Sequence, residues 1–208
     1  MKLSKKITLL ALVLGALPVA ALAGDAGTIY TQLSNNGLGL GYAASVSKDF
    51  AVRGQYNTMK FSFTGDSGGV AASNADIQFN SLQVLGDWYP MDGGFRLTGG
   101  AVFNNNKVTF SGSGTVSGKT ATVDGEIKMS DSVSPYLGIG YATRPKDAKG
   151  FGFNLDLGAM FQNPKATLTA TNTTATAAEI EAQRVKLQEA ADNFKVMPVF
   201  GLGISYSF

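Results

Sequence analysis

The sequence contains no cysteine and no histidine. Without cysteine, the chain can form neither a disulfide nor a thiolate metal site. Without histidine, it lacks Ser-His and Cys-His catalysis, imidazole metal ligands and the side chain that titrates near neutral pH. A phosphate-binding fingerprint is also missing, because no helix follows Gly37-x-Gly39-x-Gly41. We therefore expect a protein that is not an enzyme and that holds no cofactor or metal.

Long apolar runs are absent after the first 23 residues. At the N-terminus, Lys2, Lys5 and Lys6 precede an apolar stretch over 7–20, and Ala21-Leu22-Ala23 follows. A basic head, a short apolar core and a small-x-small site are typical of a secretory signal peptide. A membrane anchor is the alternative, but the run is shorter than the roughly 20 residues of a spanning helix. The sequence thus predicts a signal peptide over 1–23 and one domain over 24–208.

The predicted mature chain has almost no excess of either positive or negative charge. The leader takes three of the 17 basic residues and none of the 15 acidic ones, which leaves 14 basic residues against 15 acidic. There is no basic excess that would favour binding to nucleic acid.

The mature chain consists of short segments in which apolar and polar residues alternate. Clusters of glycine, asparagine, aspartate and serine separate these segments. We interpret them as eight strands, at 28–34, 37–46, 50–63, 76–88, 94–110, 125–143, 150–169 and 194–208. The segments 64–75 and 111–124 are predicted loops, and 170–193 is a long connection.

The last strand shows the clearest alternation. Phe208, Tyr206 and Ile204 share one face with Leu202 and Phe200, whereas glycine and serine occupy the other face. This pattern is typical of a transmembrane β-barrel with apolar residues toward lipid, and a buried edge strand of a soluble sandwich is the alternative. Phe208, Tyr206 and Ile204 also resemble the C-terminal signal that the barrel assembly machinery recognises.

The connections alternate between short and long, as they do in outer-membrane barrels. An all-β, eight-stranded antiparallel transmembrane barrel is therefore predicted, located in the cell outer membrane with both termini periplasmic. Its aromatic residues collect at strand ends, as in an interfacial girdle. The predicted periplasmic girdle comprises Trp88, Tyr89, Tyr141, Phe151 and Phe208.

The third strand changes parity along its length. Val52 and Tyr56 face one way, while Met59, Phe61 and Phe63 face the other. Either a bulge near 57–58 or a strand that projects above the membrane would account for the change.

One helix is predicted in the last extracellular loop. Thr176 and Glu179 have the spacing of a capping box, and helix formers fill 180–192. Ile180, Arg184 and Leu187 mark this candidate lid helix. It would cover the barrel mouth, bind a partner, or pack as a structural loop on the rim.

Four charged side chains fall on the predicted inward face: Arg53, Asp87, Arg96 and Asp156. Because an unpaired ion out of water is costly, these groups should pair. The resulting polar network either plugs the lumen or forms a staging site for a small zwitterion. Eight strands leave little room for an open pore.

Several segments resemble one family, the small outer-membrane barrels associated with carbapenem resistance and ornithine or basic amino-acid uptake in Acinetobacter and relatives. The resemblance rests on Ser134–Tyr141 (SPYLGIGY), 150–161 (GFGFNLDLGAMF), 163–168 (NPKATL), 193–199 (NFKVMPV) and the strand pair 37–56. It implies passage of small amino acids. Outer-membrane lipid and the assembly machinery are the expected partners. Function stays open between a passive channel or facilitator for small polar solutes and a non-conducting barrel that acts through its extracellular loops.

Overall fold

The computed structural model describes residues 27–65, 71–130, 133–143 and 149–208, so the predicted signal peptide lies outside the described residues. The elements in these residues are β1 (Gly27–Ser34), β2 (Gly37–Ser45), β3 (Phe50–Phe63), β4 (Ala71–Trp88), β5 (Phe95–Asn104), β6 (Lys107–Val116), β7 (Lys119–Lys128), β8 (Val133–Ala142), β9 (Gly150–Phe161), β10 (Lys165–Thr171), α1 (Ala177–Asp192) and β11 (Val196–Ser207). Among them, no helix is long and apolar enough to cross a bilayer.

Eight of these strands close into an antiparallel barrel, which confirms the predicted fold class. Their order around the wall is β4-β3-β2-β1-β11-β9-β8-β5, and pairing of β5 with β4 closes the ring. The first and last strands meet along Thr28–Ser34 and Gly201–Ser207. Closure gives the backbone N–H and C=O groups of every barrel strand a neighbouring strand to pair with, as a membrane-spanning sheet requires.

The barrel wall continues beyond one rim as a smaller sheet. The lower half of β4, from Ser81 to Trp88, pairs with β5, and its upper half pairs with β6. The upper sheet has the strand order β4-β6-β7-β10. The barrel wall beside it has the order β4-β5-β8-β9. We call β6, β7, β10 and the upper half of β4 the wall extension.

Three predicted strands were therefore too long. The segment 94–110 divides at Asn105 and Asn106, 125–143 gives β7 up to Lys128 and β8 from Val133, and 150–169 divides before Lys165. At the first break, the Asn106 side chain accepts a hydrogen bond from the Asn80 backbone N–H at 2.8 Å and so takes a place in the ladder. At the third, Pro164 has no N–H to give. Each strand bends at the rim instead of running straight.

The predicted loop over 111–124 is wrong, because it forms most of the β6–β7 hairpin. Ser117 and Gly118 make its two-residue turn with φ of 51° and 79°. Two positive φ values match the turn that twisted hairpins prefer. Similarly, β4 begins at Ala71, inside the predicted loop 64–75. Small and hydroxyl residues obscured both strands.

Apolar side chains cover the outside of the barrel. The exposed set includes Ile29, Leu33, Leu38, Leu40, Val52, Leu82, Val84, Leu97, Leu137, Ile139, Leu155, Leu157, Phe200, Leu202 and Ile204. So large an exposed apolar area on a monomer marks a surface that meets lipid.

Aromatic pairs surround the end of the barrel that carries the termini. Trp88 stacks on Phe50 with ring centroids 6.3 Å apart, and Phe151 meets Tyr206 at 5.0 Å. Of the five residues predicted for this girdle, Tyr89 is an exception. It follows the last residue of β4, turns to the inside and is only 8% exposed.

The third strand contains no bulge. Its pairing with β2 and with β4 runs without a break through Asn57 and Thr58. Beyond Thr58 the strand loses its β2 partner and projects with β4 above the rim. Phe61 and Phe63 therefore keep the inward parity but lie outside the barrel, and both are exposed.

Candidate functional site in the barrel lumen

The structure brings the four predicted lumen charges together. Asp156 on β9 accepts from both arginines: Arg53 Nη2 reaches Oδ1 at 2.8 Å and Arg96 Nη2 reaches Oδ2 at 2.9 Å. Asp87 on β4 lies against the same pair, with Oδ2 at 2.9 Å from Arg53 Nε and 3.5 Å from Arg96 Nη1. We call these four residues the charge cluster.

The charge cluster is buried and electrically balanced. Asp87 is completely buried and Arg53 is 2% exposed. Asp87 Oδ2 and Arg53 Nε approach as an ion pair without the alignment of a hydrogen bond. Thr98 completes the shell of Asp87 by donating to Oδ1 at 2.6 Å. Two cations facing two anions offset the cost of taking each charge out of water.

A chain of amide side chains leads from the charge cluster toward the rim that carries the wall extension. Gln32 donates to Asp156 at 2.5 Å, and Gln55 donates to Gln32 at 3.0 Å and to Asn57 at 2.6 Å. Asn57 then donates to Ser81 at 3.2 Å. The chain follows β1 and β3, on one side of the lumen.

At the rim the chain continues through asparagines. Asn36 donates to Ser81 at 3.0 Å and accepts from Asn106 at 2.5 Å. The Asn106 backbone donates to Asn104, which donates to Gln162 at 3.0 Å. Every member from Gln32 to Gln162 is buried. We call this set, with Gln32, Gln55, Asn57 and Ser81, the amide chain.

An apolar cluster fills the other side of the lumen. Leu85, Val102, Tyr136, Met160 and Val199 pack together, each nearly inaccessible to solvent. They come from β4, β5, β8, β9 and β11 and lie opposite the β1 and β3 side that carries the amide chain. We call them the apolar plug.

Glycines on the lumen face let these side chains lie flat against the wall. A Cβ added at Gly201 would lie 2.7 Å from Gln32 Cδ, and one at Gly158 would lie 2.5 Å from the Tyr136 hydroxyl. Large side chains therefore occupy the space that two wall positions leave empty. Together the amide chain and the apolar plug fill the lumen above the charge cluster.

A cavity remains at the end of the barrel that carries the termini. Its volume is about 220 Å³, and the residues that line it include Tyr30, Arg53, Tyr89, Arg96 and Asn154. We call it the vestibule. Arg53 and Arg96 of the charge cluster form its inner end.

The candidate lid helix forms as α1, and its capping box has the predicted residues. The Thr176 hydroxyl accepts from the Glu179 N–H at 3.3 Å, and Glu179 accepts from the Thr176 N–H at 2.7 Å. Glu179 also accepts from Lys119 of β7 at 2.8 Å. This hydrogen bond, with those from Thr176, lowers the pKa of Glu179 from 4.5 to about 2.

Helix α1 lies on the wall extension. Ile180 packs against a buried cluster of Val116, Ala121 and Val123. Arg184 bonds the Ala166 carbonyl at 3.4 Å, and Leu187 is half-buried. Gln188 accepts a hydrogen bond from the Ala166 N–H of β10 at 2.8 Å, and Ala191 is the one buried residue of the helix. The helix covers the apolar face of the wall extension, and its three predicted marker residues lie on the side near that sheet.

The predicted assembly signal lies at the end of β11 and faces outward. Phe208, Tyr206 and Ile204 are all exposed. The Phe208 N–H donates to the Gly27 carbonyl at 3.0 Å. Recognition by the assembly machinery stays a prediction.

Sequence reasoning missed the amide chain. Gln55 and Asn57 share the inward parity of Arg53 on β3, and Gln32 shares that of Tyr30 on β1, so parity could have found all three. Asn36, Asn106 and Gln162 lie in turns or bends, where alternation gives no signal.

Two solved structures from Acinetobacter baumannii are similar to this chain. CarO2 has a TM-score of 0.61 at 18% identity over 88% of this chain and 98% of its own. CarO has a TM-score of 0.59 at 18% identity over 88% of this chain and 97% of its own. No protein-family model and no curated protein matches the chain. The fold that the sequence resemblance implied is confirmed, and the chain has the fold of the CarO outer-membrane barrels.

Proposed function

We propose that this protein is a non-conducting outer-membrane barrel whose working surface is the wall extension with α1. One observation carries the proposal. The lumen above the charge cluster is filled on one side by the amide chain and on the other by the apolar plug. Eight strands already leave an interior only wide enough for side chains.

The filled lumen also gives the wall extension its support. Asn106 joins the rim to the amide chain through Asn36, and Gln162 joins it to the segment before β11 by donating to the Phe194 carbonyl at 2.8 Å. A plugged barrel of this kind serves as a rigid base that holds an external sheet in place.

Solute flux tests this proposal. Liposomes that contain the refolded protein should release glycine, arginine and ornithine no faster than vesicles without protein do. An open porin serves as the positive control for vesicle quality. The double variant Y136A/M160A, which removes two large side chains from the apolar plug, should leak. Flux through the wild-type barrel would contradict the proposal.

Slow passage of small polar solutes is the second candidate. The specific observation in its favour is the amide chain, because it links the vestibule to the opposite rim by groups that could exchange hydrogen bonds with a solute. This candidate requires flux in the same liposomes that saturates with solute and falls in D156N. The prediction that the chain is not an enzyme stays a prediction.

A further inference from the structure

The vestibule contains polar atoms that have no protein partner. Arg96 Nε, the Tyr30 hydroxyl and both amide atoms of Asn154 are buried without a hydrogen bond. All three residues line the vestibule, and each is at most 5% exposed. Buried polar groups without partners are rare in proteins, and each needs an explanation such as a bound ligand or water.

The charge cluster presents its cationic side to this space. Arg53 and Arg96 line the vestibule, whereas Asp87 and Asp156 do not. Arg96 has donor capacity left over, because its Nη2 serves Asp156, its Nη1 lies 3.5 Å from Asp87 and its Nε is unpartnered. A guanidinium has five N–H donors in a planar fork that matches a carboxylate.

Size limits the occupant. A volume of about 220 Å³ is below the roughly 300–1,000 Å³ of pockets that hold drug-sized ligands, so a ligand of a few heavy atoms fits best.

We infer that the vestibule is a binding site for a small carboxylate anion, anchored by Arg96 and completed by the Tyr30 hydroxyl and the Asn154 amide. The site opens at the end of the barrel that carries the termini. It goes beyond the proposed function, because the site ends at the charge cluster and can be occupied whether or not the barrel conducts.

The test uses the full mature chain in detergent micelles, with arginine side chains labelled with nitrogen-15. Titration with acetate should shift the Arg96 Nε–H resonance to saturation. Acetamide has the same shape without the charge, and chloride controls for ionic strength; neither should give a saturable shift. R96K keeps the positive charge but loses the guanidinium donors, and it serves to assign the resonance.

Variants locate the site, with acetate affinity measured by calorimetry. R96K should bind acetate at least about tenfold more weakly than the wild type, and Y30F should bind it several-fold more weakly. Each variant loses a buried hydrogen bond to the anion. R184K, on α1, should bind as the wild type does. Y30F keeps all four charged side chains of the charge cluster, so the test stays decisive if R96K fails to fold.

Three results would overturn the inference. The first is an absence of saturable binding of acetate, which would leave water as the occupant. The second is equal binding of acetamide, which would show a polar cavity without preference for an anion. The third is acetate affinity unchanged in Y30F and, where it folds, in R96K.

Discussion

Asp156 is the residue on which the charge balance of the lumen depends. It accepts from Arg53, Arg96 and Gln32, and only Asp87 would remain to face the two arginines if it were neutral. Breaking a buried ion pair from one side leaves an uncompensated charge, which costs more than the intact pair contributes.

We predict that D156N lowers the free energy of unfolding by about 3–5 kcal/mol, because the arginines lose one of their two anionic partners. Urea titration of the refolded barrel, followed by its heat-modifiable migration on gels, measures this change. D49N is the control, since Asp49 pairs only at the surface with Lys48 at 3.9 Å and should change stability by less than about 1 kcal/mol. Equal loss in both variants would contradict the role of the charge cluster.

Two glycines of the barrel strands provide a matched pair. A Cβ at Gly158 would lie 2.5 Å from the Tyr136 hydroxyl and 2.6 Å from the Leu137 carbonyl, whereas one at Gly54 would meet nothing within 4 Å. G158A should therefore destabilise the barrel by about 1–3 kcal/mol through overpacking, and G54A should not. The same urea titration compares them. A neutral G158A would show that the apolar plug has space to shift.

At this scale, the sequence is informative where alternation is regular. Arg53, Asp87, Arg96 and Asp156 lie in regular strands, and inward parity alone directs them to one enclosed space. Alternation does not determine which cation meets which anion, because that depends on how β3, β4, β5 and β9 are staggered around the ring.

The helix is held to the wall extension at its first turn. Lys119 of β7 donates to Glu179, which also belongs to the capping box. Since the pKa of Glu179 is lowered from 4.5 to about 2, its carboxylate stabilises the docked helix above pH 4.5. That contribution is lost as the pH falls toward 2, where the folded-state carboxyl takes up its proton.

We predict that amide protection in α1 decreases between about pH 4.5 and 2, while protection in the barrel strands is retained. Hydrogen exchange, corrected for the intrinsic rate at each pH, measures this difference. E179Q lacks the titrating group, so α1 should be less protected at neutral pH and should vary less with pH. A helix in E179Q with the same pH profile as the wild type would assign the effect to Glu181 and Asp192, whose pKa values are also lowered, by hydrogen bonds from Arg184 and Lys195 respectively.

Helix α1 also covers the apolar face of the wall extension. Replacing 177–192 by a glycine-serine linker should leave the barrel folded, because the barrel closes without α1. It should expose Val116, Ala121 and Val123, which pack with Ile180. Binding of a hydrophobic dye at unchanged heat-modifiable migration is the expected result. Loss of barrel folding would show that α1 is needed earlier, during assembly.

The element scale is where sequence and structure differ most. Thr176 and Glu179 predicted the start of α1, since a capping box is a local interaction. The β6–β7 hairpin was not predicted, because Thr, Ser and Gly at 111–124 resemble a loop until their pairing partners are known. The side chains that the hairpin buries against α1 include the small Ala121 and Val123, so the alternation of apolar and polar residues is weak.

The absence of native cysteine allows the orientation of the whole molecule to be tested. S117C lies at the tip of the β6–β7 hairpin and K48C lies in the β2–β3 turn at the other end of the barrel. If the termini are periplasmic, a membrane-impermeant maleimide should label S117C in intact cells and K48C only after the outer membrane is opened. The opposite labelling would invert the predicted orientation.

By itself, the sequence determined that the chain forms a barrel of eight strands with an apolar outside and four charged side chains inside. The physical reason is that period-two alternation is local: each residue's face follows from its neighbours along the strand. Phe208 and the residues alternating behind it illustrate this, since they face outward as predicted.

Only the tertiary structure decided how the inside is filled and where the wall leaves the barrel. A hydrogen bond joins Gln32 of the amide chain to the distant Asp156 of the charge cluster, and the bends at Asn106 and Pro164 depend on how neighbouring strands pair. Contacts between residues far apart in the chain depend on strand stagger and on the volume of side chains across the lumen. Neither quantity is encoded in any single strand, so the closed lumen, the vestibule and the wall extension appear only once the ring of strands is complete.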